Sequence, residues 1–444
     1  MNLFTISQAA ALTGGAFVGD ASLQNAPITS LSIDTRTLRP GALYVPVRGE
    51  VFDGHRFIPQ AMEQGAVCTL SEVDTPYPHI RVDNAVAAFQ TLAARYRERF
   101  SIPVVGITGS AGKTTTKELV RDVLSTTYHV HATAGNLNNQ TGVPQVLFGL
   151  TPETECAVIE MGTNHFGEID ALAAMAQPTV CLFTNIGEAH LEFFGTREGI
   201  FRGKTEMLRH MRPEGTVIAN GDDDYLSTLP KALFYGLGEN CPVRGENLIS
   251  HGLDGTEFTL RLGEKSYPAC IHAPGIHAVY NALAAAAVGM VLHVPVENIL
   301  AAIAAFVPAG NRQAIEKLPN CTLINDVYNA NPASMAAALQ VLAQAKGRRV
   351  CILGDMGELG AASAEGHLRT LELARQLGIE AIAAVGPRMM EAAKEAGCLS
   401  FPTQTDLCQS LPALLQPGDT ILVKASRSMH LETTAAAIRR WSQP

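Results

Sequence analysis

The sequence predicts an α/β protein of three domains, and three observations carry that prediction. Its 444 residues are enough for about three separate cores. Beyond about residue 83, short apolar β-branched runs alternate with helical patterns in two successive series, as mainly parallel sheets covered on both faces require. The first series opens on Ile102-Pro-Val-Val-Gly-Ile-Thr-Gly-Ser-Ala-Gly-Lys-Thr-Thr-Thr116, a buried-strand run that turns through glycines into Lys-Thr and a helix. The expected division is 1–82, 83–308 and 309–444. These segments read as a small α/β domain, a central P-loop ATPase-like domain with a mainly parallel sheet, and a Rossmann-like doubly wound domain.

In the first segment, Ile6 to Leu12 reads as a short helix ending at Gly14-Gly15. Two turn-rich stretches follow, Ser32-Ile-Asp-Thr-Arg36 and Gly49-Glu-Val-Phe-Asp-Gly-His55. Their small polar residues could hold a phosphorylated ligand, with Arg36 giving a bidentate grip, and ordinary turn chemistry explains the same residues. A helix from about Ala85 to Phe100 leads into the central segment. Strands are expected there at 104–108, 155–160 and 179–184, and helices at about 113–126, 166–176 and 197–211. Residues 215–272 hold shorter strand-like runs broken by Gly, Pro and Asp, read as an antiparallel edge, and Ala278 to Gly289 reads as a closely packed helix. A linker is expected near Pro308-Ala-Gly310. The last segment should place strands near 321–325, 349–353, 380–385 and 419–424, with helices between them.

Composition narrows the function. Hydrophobic content of 47% with 17% charged residues is a globular balance. A net charge of −9 disfavours nucleic acid or an anionic membrane as the main partner, while a local basic pocket for an anionic small molecule stays open. The nine cysteines form no C-x-x-C pair and several sit in apolar runs, which suggests reduced core thiols rather than disulfides or a zinc site. The start, Met1-Asn-Leu-Phe, lacks a basic stretch followed by an apolar one, and the longest apolar run, Ala282 to Leu292, is too short for a bilayer. A cytoplasmic protein without membrane insertion is therefore expected.

The chemistry gathers at strand ends of the central segment. Gly109, Ser110, Ala111 and Gly112 let backbone N–H groups face an anion, and the following helix adds positive potential. Lys113 would reach the outer phosphates, and the Thr114 hydroxyl is placed to bind Mg²⁺, with Thr115 next to it. The first glycine of G-x-x-x-x-G-K-[ST] falls on Ile107. Glu160, in Glu160-Met-Gly-Thr-Asn-His165, and His190, in Thr184-Asn-Ile-Gly-Glu-Ala-His190, end neighbouring strand runs. Together with Thr114 they could hold Mg²⁺ against ATP phosphates; singly, a helix cap and a packed histidine explain them. By pattern alone Lys204 is an ordinary surface lysine.

These motifs, with Lys204 and Pro274-Gly-Ile-His-Ala-Val-Tyr-Asn281, resemble the Mur ligases in order and spacing. Asn325-Asp-Val-Tyr-Asn-Ala-Asn-Pro-Ala-Ser334, Leu353-Gly-Asp-Met-Gly-Glu-Leu359 and Val423-Lys-Ala-Ser-Arg-Ser428 are similar to the member that acts on UDP-N-acetylmuramoyl-tripeptide and D-Ala-D-Ala. The sister enzymes that add the third residue carry Asp-Asn-Pro-Arg, absent here. The resemblance implies ATP-dependent amide ligation through an acyl phosphate, two Mg²⁺ ions, and a cytoplasmic monomer serving peptidoglycan synthesis, cell shape and division. It implies Lys113, Lys204 and His190 as catalytic residues, with Lys204 carbamylated, and Thr114, Glu160, His190 and Lys204 as metal ligands. Asn281, Arg312 and Asp326 would join the loop in nucleotide binding, with His277, Tyr328, Asn329 and Asn331 nearby. Ser32, Thr35, Arg36, Asp53 and His55 would hold the UDP group. Asn138, Asn139 and Thr141 of Gly135-Asn-Leu-Asn-Asn-Gln-Thr141 would face the muropeptide. Lys424, Ser426 and Arg427 could face phosphate or the incoming dipeptide, or end a solvated strand. A regulatory ATPase with the same loop would hydrolyse slowly without either substrate.

Overall fold

A computed structural model describes residues 2–49, 52–308 and 310–443. Glu50 and Val51 of the second turn-rich stretch, and Ala309 of the expected linker, lie outside the described residues. The chain forms two compact units. The first comprises the chain up to Ile107, Tyr128–Cys181 and Thr205–Gly215; the second comprises Thr108–Thr127, Leu182–Lys204 and the chain from Thr216 onward.

In the first unit the helix Ile6–Thr13 starts with a capping box between Thr5 and Gln8 and stops at Gly14, whose φ of +67° suits a residue without Cβ. A five-stranded sheet runs in the order Ala16–Val18, His79–Arg81, Cys68–Ser71, Ala42–Tyr44, Ser30–Ser32. Only its first pair is antiparallel. The helix Ala85–Arg97 buries Phe89, Leu92 and Tyr96, and Phe89 stacks on Phe148 at 5.7 Å. It ends earlier than the expected Phe100. The strand Cys156–Glu160 pairs in parallel with Val130–Ala132 on one side and with the run from Val104 to Ile107 on the other. That register sets Glu160 level with Ile107, two residues before the first glycine of the loop.

The second unit holds the helix Lys113–Ser125, which buries Leu119, Val120, Val123 and Leu124 and packs on the helix Ile276–Val291. Close approach there depends on small residues: a Cβ on Gly289 would fall 2.9 Å from Val123 and Ile299. The strands Val243–Ser250, Thr256–Leu262 and Lys265–Ile271 are antiparallel, as expected for residues 215–272, whereas Thr216–Asn220, Leu233–Gly236 and Val243–Ser250 pair in parallel. The six-stranded C-terminal sheet runs Ala314–Lys317, Cys321–Asp326, Asp419–Lys424, Arg349–Gly354, Ala381–Val385, Leu399–Phe401. Its first pair is antiparallel and the other pairs are parallel. Its four central strands match the sequence reading, and its two edge strands are additions to it. The expected helix at 197–211 is an α-helix at Arg197–Thr205 followed by a 3₁₀ turn at Glu206–His210. Among the described residues no helix is long and apolar enough to cross a membrane.

Candidate active site

The glycine loop is held open from one side. Ser110 N–H donates to the Asn185 carbonyl (2.9 Å) and Ala111 N–H to Asn185 Oδ1 (2.9 Å). The Ala111 carbonyl accepts from Thr184 Oγ1 (2.7 Å) and Asn185 Nδ2 (3.1 Å), and Ser110 Oγ accepts from Gly187 N–H (2.9 Å). A Cβ on Gly109 would lie 1.9 Å from Thr184 Oγ1, so only glycine lets the loop come this close. The helix then begins from Gly112 (φ +79°) with no side chain capping it. A helix start of this kind lacks carbonyls four residues back for its first N–H groups and can receive an anion there. Lys113 Nζ donates to the Gly109 carbonyl at 2.8 Å, folded over its own loop. Asn281 is buried, and its Oδ1 accepts from Thr116 Oγ1 (3.1 Å) on this same helix.

Asn185 is the residue that sequence reasoning passed over, although it lies inside a quoted motif. Its side chain and carbonyl act as a clamp for the loop. The chain beyond it is fixed in turn: Ile186 N–H donates to Asp223 Oδ2 (2.7 Å), and Arg197 Nη2 donates to the Ile186 carbonyl (2.8 Å).

His190 has φ +63° and its Nδ1 lies against the Glu358 carboxylate. Nδ1 is buried and makes no in-line hydrogen bond there. Lys204 is fully buried, and its Nζ has no hydrogen-bond partner among the described residues. This corrects the surface reading of Lys204. The helix Arg197–Thr205 buries Gly199, Ile200, Gly203 and Lys204, and the ring of Phe194 packs where a Cβ on Gly203 would sit, 2.5 Å away. Burial, followed by the charge of Lys113, holds the Lys204 amine well below the usual lysine range.

In the first unit Glu160 is buried and caps no helix. Its Oε1 accepts from Asn138 Nδ2 (2.7 Å), its N–H donates to Thr133 Oγ1 (2.9 Å), and its Oε2 has no partner among the described residues. Asn138 thus orients Glu160. Asn139 Oδ1 accepts from the Thr141 and Gly142 N–H groups (3.2 and 2.8 Å), which turns the chain into the helix Gly142–Leu147. Among the described residues no group of three or more His, Cys, Asp or Glu could hold a metal ion. Within its own unit, Glu160 Oε2 is a bare carboxylate oxygen that suits a cation, and in the second unit the buried Lys204 amine would suit one only once turned into an anion.

In the third segment two arginines lie against Tyr328. The Arg312 guanidinium lies 3.6 Å from the centre of the Tyr328 ring, and that of Arg427 lies 5.8 Å from it. Asp326 and Lys424 form a buried pair (2.7 Å), Lys424 Nζ also donates to the Asn329 carbonyl (2.9 Å), and Asp326 Oδ1 accepts from Gln313 N–H (3.2 Å). His277 Nε2 meets Gln313 Oε1 at 2.5 Å. Asn331 caps the helix Pro332–Ala343 through Ser334.

The first-segment residues spend their polar groups on one another. Arg36 is paired with Asp34 through Nη2 (2.6 Å), Ser32 Oγ donates to the Asp34 carbonyl (2.8 Å), and Thr35 Oγ1 donates to Gln60 (3.2 Å). Asp53 accepts from His55 N–H (3.0 Å) and Arg48 Nε (3.1 Å), and its Oδ1 meets His55 Nδ1 at 2.7 Å. The His55 contacts first, and then that of Arg48, hold the Asp53 carboxyl down at about 2.

Comparison with known proteins places this arrangement. Three family models match successive segments: Mur ligase family, catalytic domain, at 27–97; Mur ligase middle domain at 107–289; and Mur ligase, glutamate ligase domain, at 312–427. The chain is 38% identical to the UDP-N-acetylmuramoyl-tripeptide–D-alanyl-D-alanine ligase of Escherichia coli (strain K12), over 95% of the chain and 96% of that protein. It is 35% identical to the Bacillus subtilis (strain 168) enzyme of that name, over 91% and 92%. The crystal structure of MurF from Acinetobacter baumannii superposes with a TM-score of 0.92 at 33% identity, covering 98% and 99% of the two chains. The MurF ligase from Thermotoga maritima in complex with ADP gives a TM-score of 0.83 at 26% identity, covering 93% and 97%. The glycine loop, its asparagine clamp, the buried lysine and these chain-long matches have one conclusion: the protein belongs to the Mur ligase family.

Proposed function

We propose that this protein is the ATP-dependent ligase that adds D-alanyl-D-alanine to UDP-N-acetylmuramoyl-tripeptide in peptidoglycan precursor synthesis. The observation that carries this reading is the chain-long correspondence with relatives named for that reaction. The substrate carboxylate attacks the γ-phosphorus of ATP, giving an acyl phosphate and ADP. The amine of D-Ala-D-Ala then attacks the acyl carbon, and phosphate leaves as the amide forms.

Carboxylate and triphosphate repel each other, so the residues must neutralise charge while aligning the attack. In this reading Gly109 to Gly112 and the N–H groups of Lys113, Thr114 and Thr115 bind the phosphates, and Lys113 Nζ moves from the Gly109 carbonyl onto the outer phosphate. Asn281, Arg312 and Asp326 complete the nucleotide site. Two Mg²⁺ ions, when bound, supply the remaining positive charge beside the transferred phosphoryl group. Thr114 would hold one; Glu160, His190 and a carbamylated Lys204 would hold the other. A neutral Lys204 amine can add CO₂ and lose a proton, giving a carbamate anion that prefers a metal partner. Ser32, Thr35, Arg36, Asp53 and His55 are assigned to the UDP group, which Arg36 reaches only by leaving Asp34. Asn139 and Thr141 are assigned to the muropeptide, while Asn138 acts through Glu160. Domains at 1–82, 83–308 and 309–444, a cytoplasmic monomer, and a role in cell shape and division complete the proposal.

The test is incubation with ATP, Mg²⁺ and UDP-muramoyl-tripeptides carrying lysine or diaminopimelate, offering D-Ala-D-Ala beside single amino acids. The expected product gains the mass of the dipeptide, with phosphate released only when both substrates are present. Phosphate release at the same rate without either would contradict the reading.

A further inference from the structure

The loop after the strand Arg349–Gly354 is pinned along its length. Asp355 Oδ1 accepts from Met389 N–H (2.7 Å), and the Asp355 carbonyl accepts from Ser426 N–H (2.9 Å). Met356 N–H donates to His367 Nε2 (2.9 Å), and Gly357 N–H donates to Ser426 Oγ (2.7 Å). His367 is buried with Nδ1 facing the Ser363 carbonyl at 2.7 Å, so its proton sits on Nδ1 and Nε2 is left to accept. At the tip of this scaffold Glu358 has φ +61°, rare for a residue with a Cβ. Its carboxylate lies against His190, which is itself at φ +63°. Glu192 N–H points to the Glu358 carbonyl (3.5 Å), and Arg369 pairs with Glu188 (3.6 Å) beside it. Two facing residues in a sparsely populated conformation persist only where their surroundings fix them. Here those surroundings bring a carboxylate to an imidazole.

We propose that Glu358 is a positioning residue for His190; this rests on the reading of His190 as a Mg²⁺ ligand. The negative charge of the carboxylate stands against Nδ1. That charge favours the tautomer with the proton on Nδ1 and leaves the Nε2 lone pair for a cation. Carboxylates paired with ligating histidines orient the ring and raise its basicity in this way. Glu358 belongs to the segment after residue 309 and His190 to the one before it, so the reaction centre is complete only when the third segment presents its loop.

The test needs no turnover. Imidazole ¹⁵N spectra of the metal-free protein give the His190 tautomer, assigned by its loss in His190→Ala. Electron paramagnetic resonance with Mn²⁺ and ATP gives metal affinity. Glu358→Gln should move the tautomer toward Nε2–H and weaken Mn²⁺ binding about 10- to 100-fold. Glu358→Asp should recover part of both, and all three should melt alike. An unchanged tautomer in Glu358→Gln overturns the proposal, as does unchanged Mn²⁺ affinity there while His190→Ala loses it. Undiminished Mn²⁺ affinity in His190→Ala instead overturns the ligand reading of His190, and the tautomer still decides the role of Glu358.

Discussion

Lys204 and Lys424 are both buried in the second unit, and their surroundings treat the amine in opposite ways. Lys424 Nζ has Asp326 Oδ2 at 2.7 Å and the Asn329 carbonyl at 2.9 Å, so its charge is answered where it stands. Lys204 Nζ has no hydrogen-bond partner, and burial beside Lys113 drives it toward the neutral form. A buried ammonium left unanswered is too costly to keep as part of the packing. The difference separates a lysine whose charge the fold answers from one whose environment fits the proposed carbamylation.

The strongest attempt to break this comparison is Lys204→Ala. It should lower ligation by at least about 10³-fold, on the scale of losing an essential charge-stabilising group, with partial rescue by a short-chain acid that restores an anion. Full activity would refute the role. Lys424→Met should instead cost about 3–5 kcal/mol in urea unfolding, because it leaves the Asp326 carboxylate buried and uncompensated. Lys204→Met should change stability the other way, gaining about 1–3 kcal/mol as an unsatisfied buried group is removed. The pH dependence sharpens that contrast. The folded pKa of Lys204 lies below its unfolded value, so between the two the unfolded chain holds a proton that the native state does not. Stability of the carbonate-free protein should therefore rise with pH through that window and level off at the ordinary lysine range, a rise that Lys204→Met lacks. The smallest effect belongs to the residue that clamps the glycine loop. Asn185→Ala removes two hydrogen bonds from the glycine loop and should raise the KM for ATP about tenfold with little change in melting temperature.

Much of this was legible where backbone and period dictate the outcome. The strand Val104–Thr108 and the helix Lys113–Ser125 follow from an apolar run, a glycine turn and repeats of three and four residues. The four central strands of the last sheet are buried on both faces and read as continuous apolar runs. Its edge strands, Ala314–Lys317 and Leu399–Phe401, are short and partly exposed, so they carry no such signal. Side-chain environments were harder to read. Phe194 packs over Gly199 and Gly203 of the helix that carries Lys204, and only that four-residue glycine spacing hints that the helix is covered there. Nothing local to Arg36 tells that Asp34 occupies its guanidinium, nor could Asn138 be tied to Glu160 before the chain had folded.

The proposed chemistry requires that the Lys204 amine capture CO₂. Carbon-13 NMR of the protein equilibrated with labelled bicarbonate should show one slowly exchanging carbamate resonance, absent from Lys204→Ala and retained in Lys424→Met. A spectrum without that resonance under conditions of full ligation would contradict it.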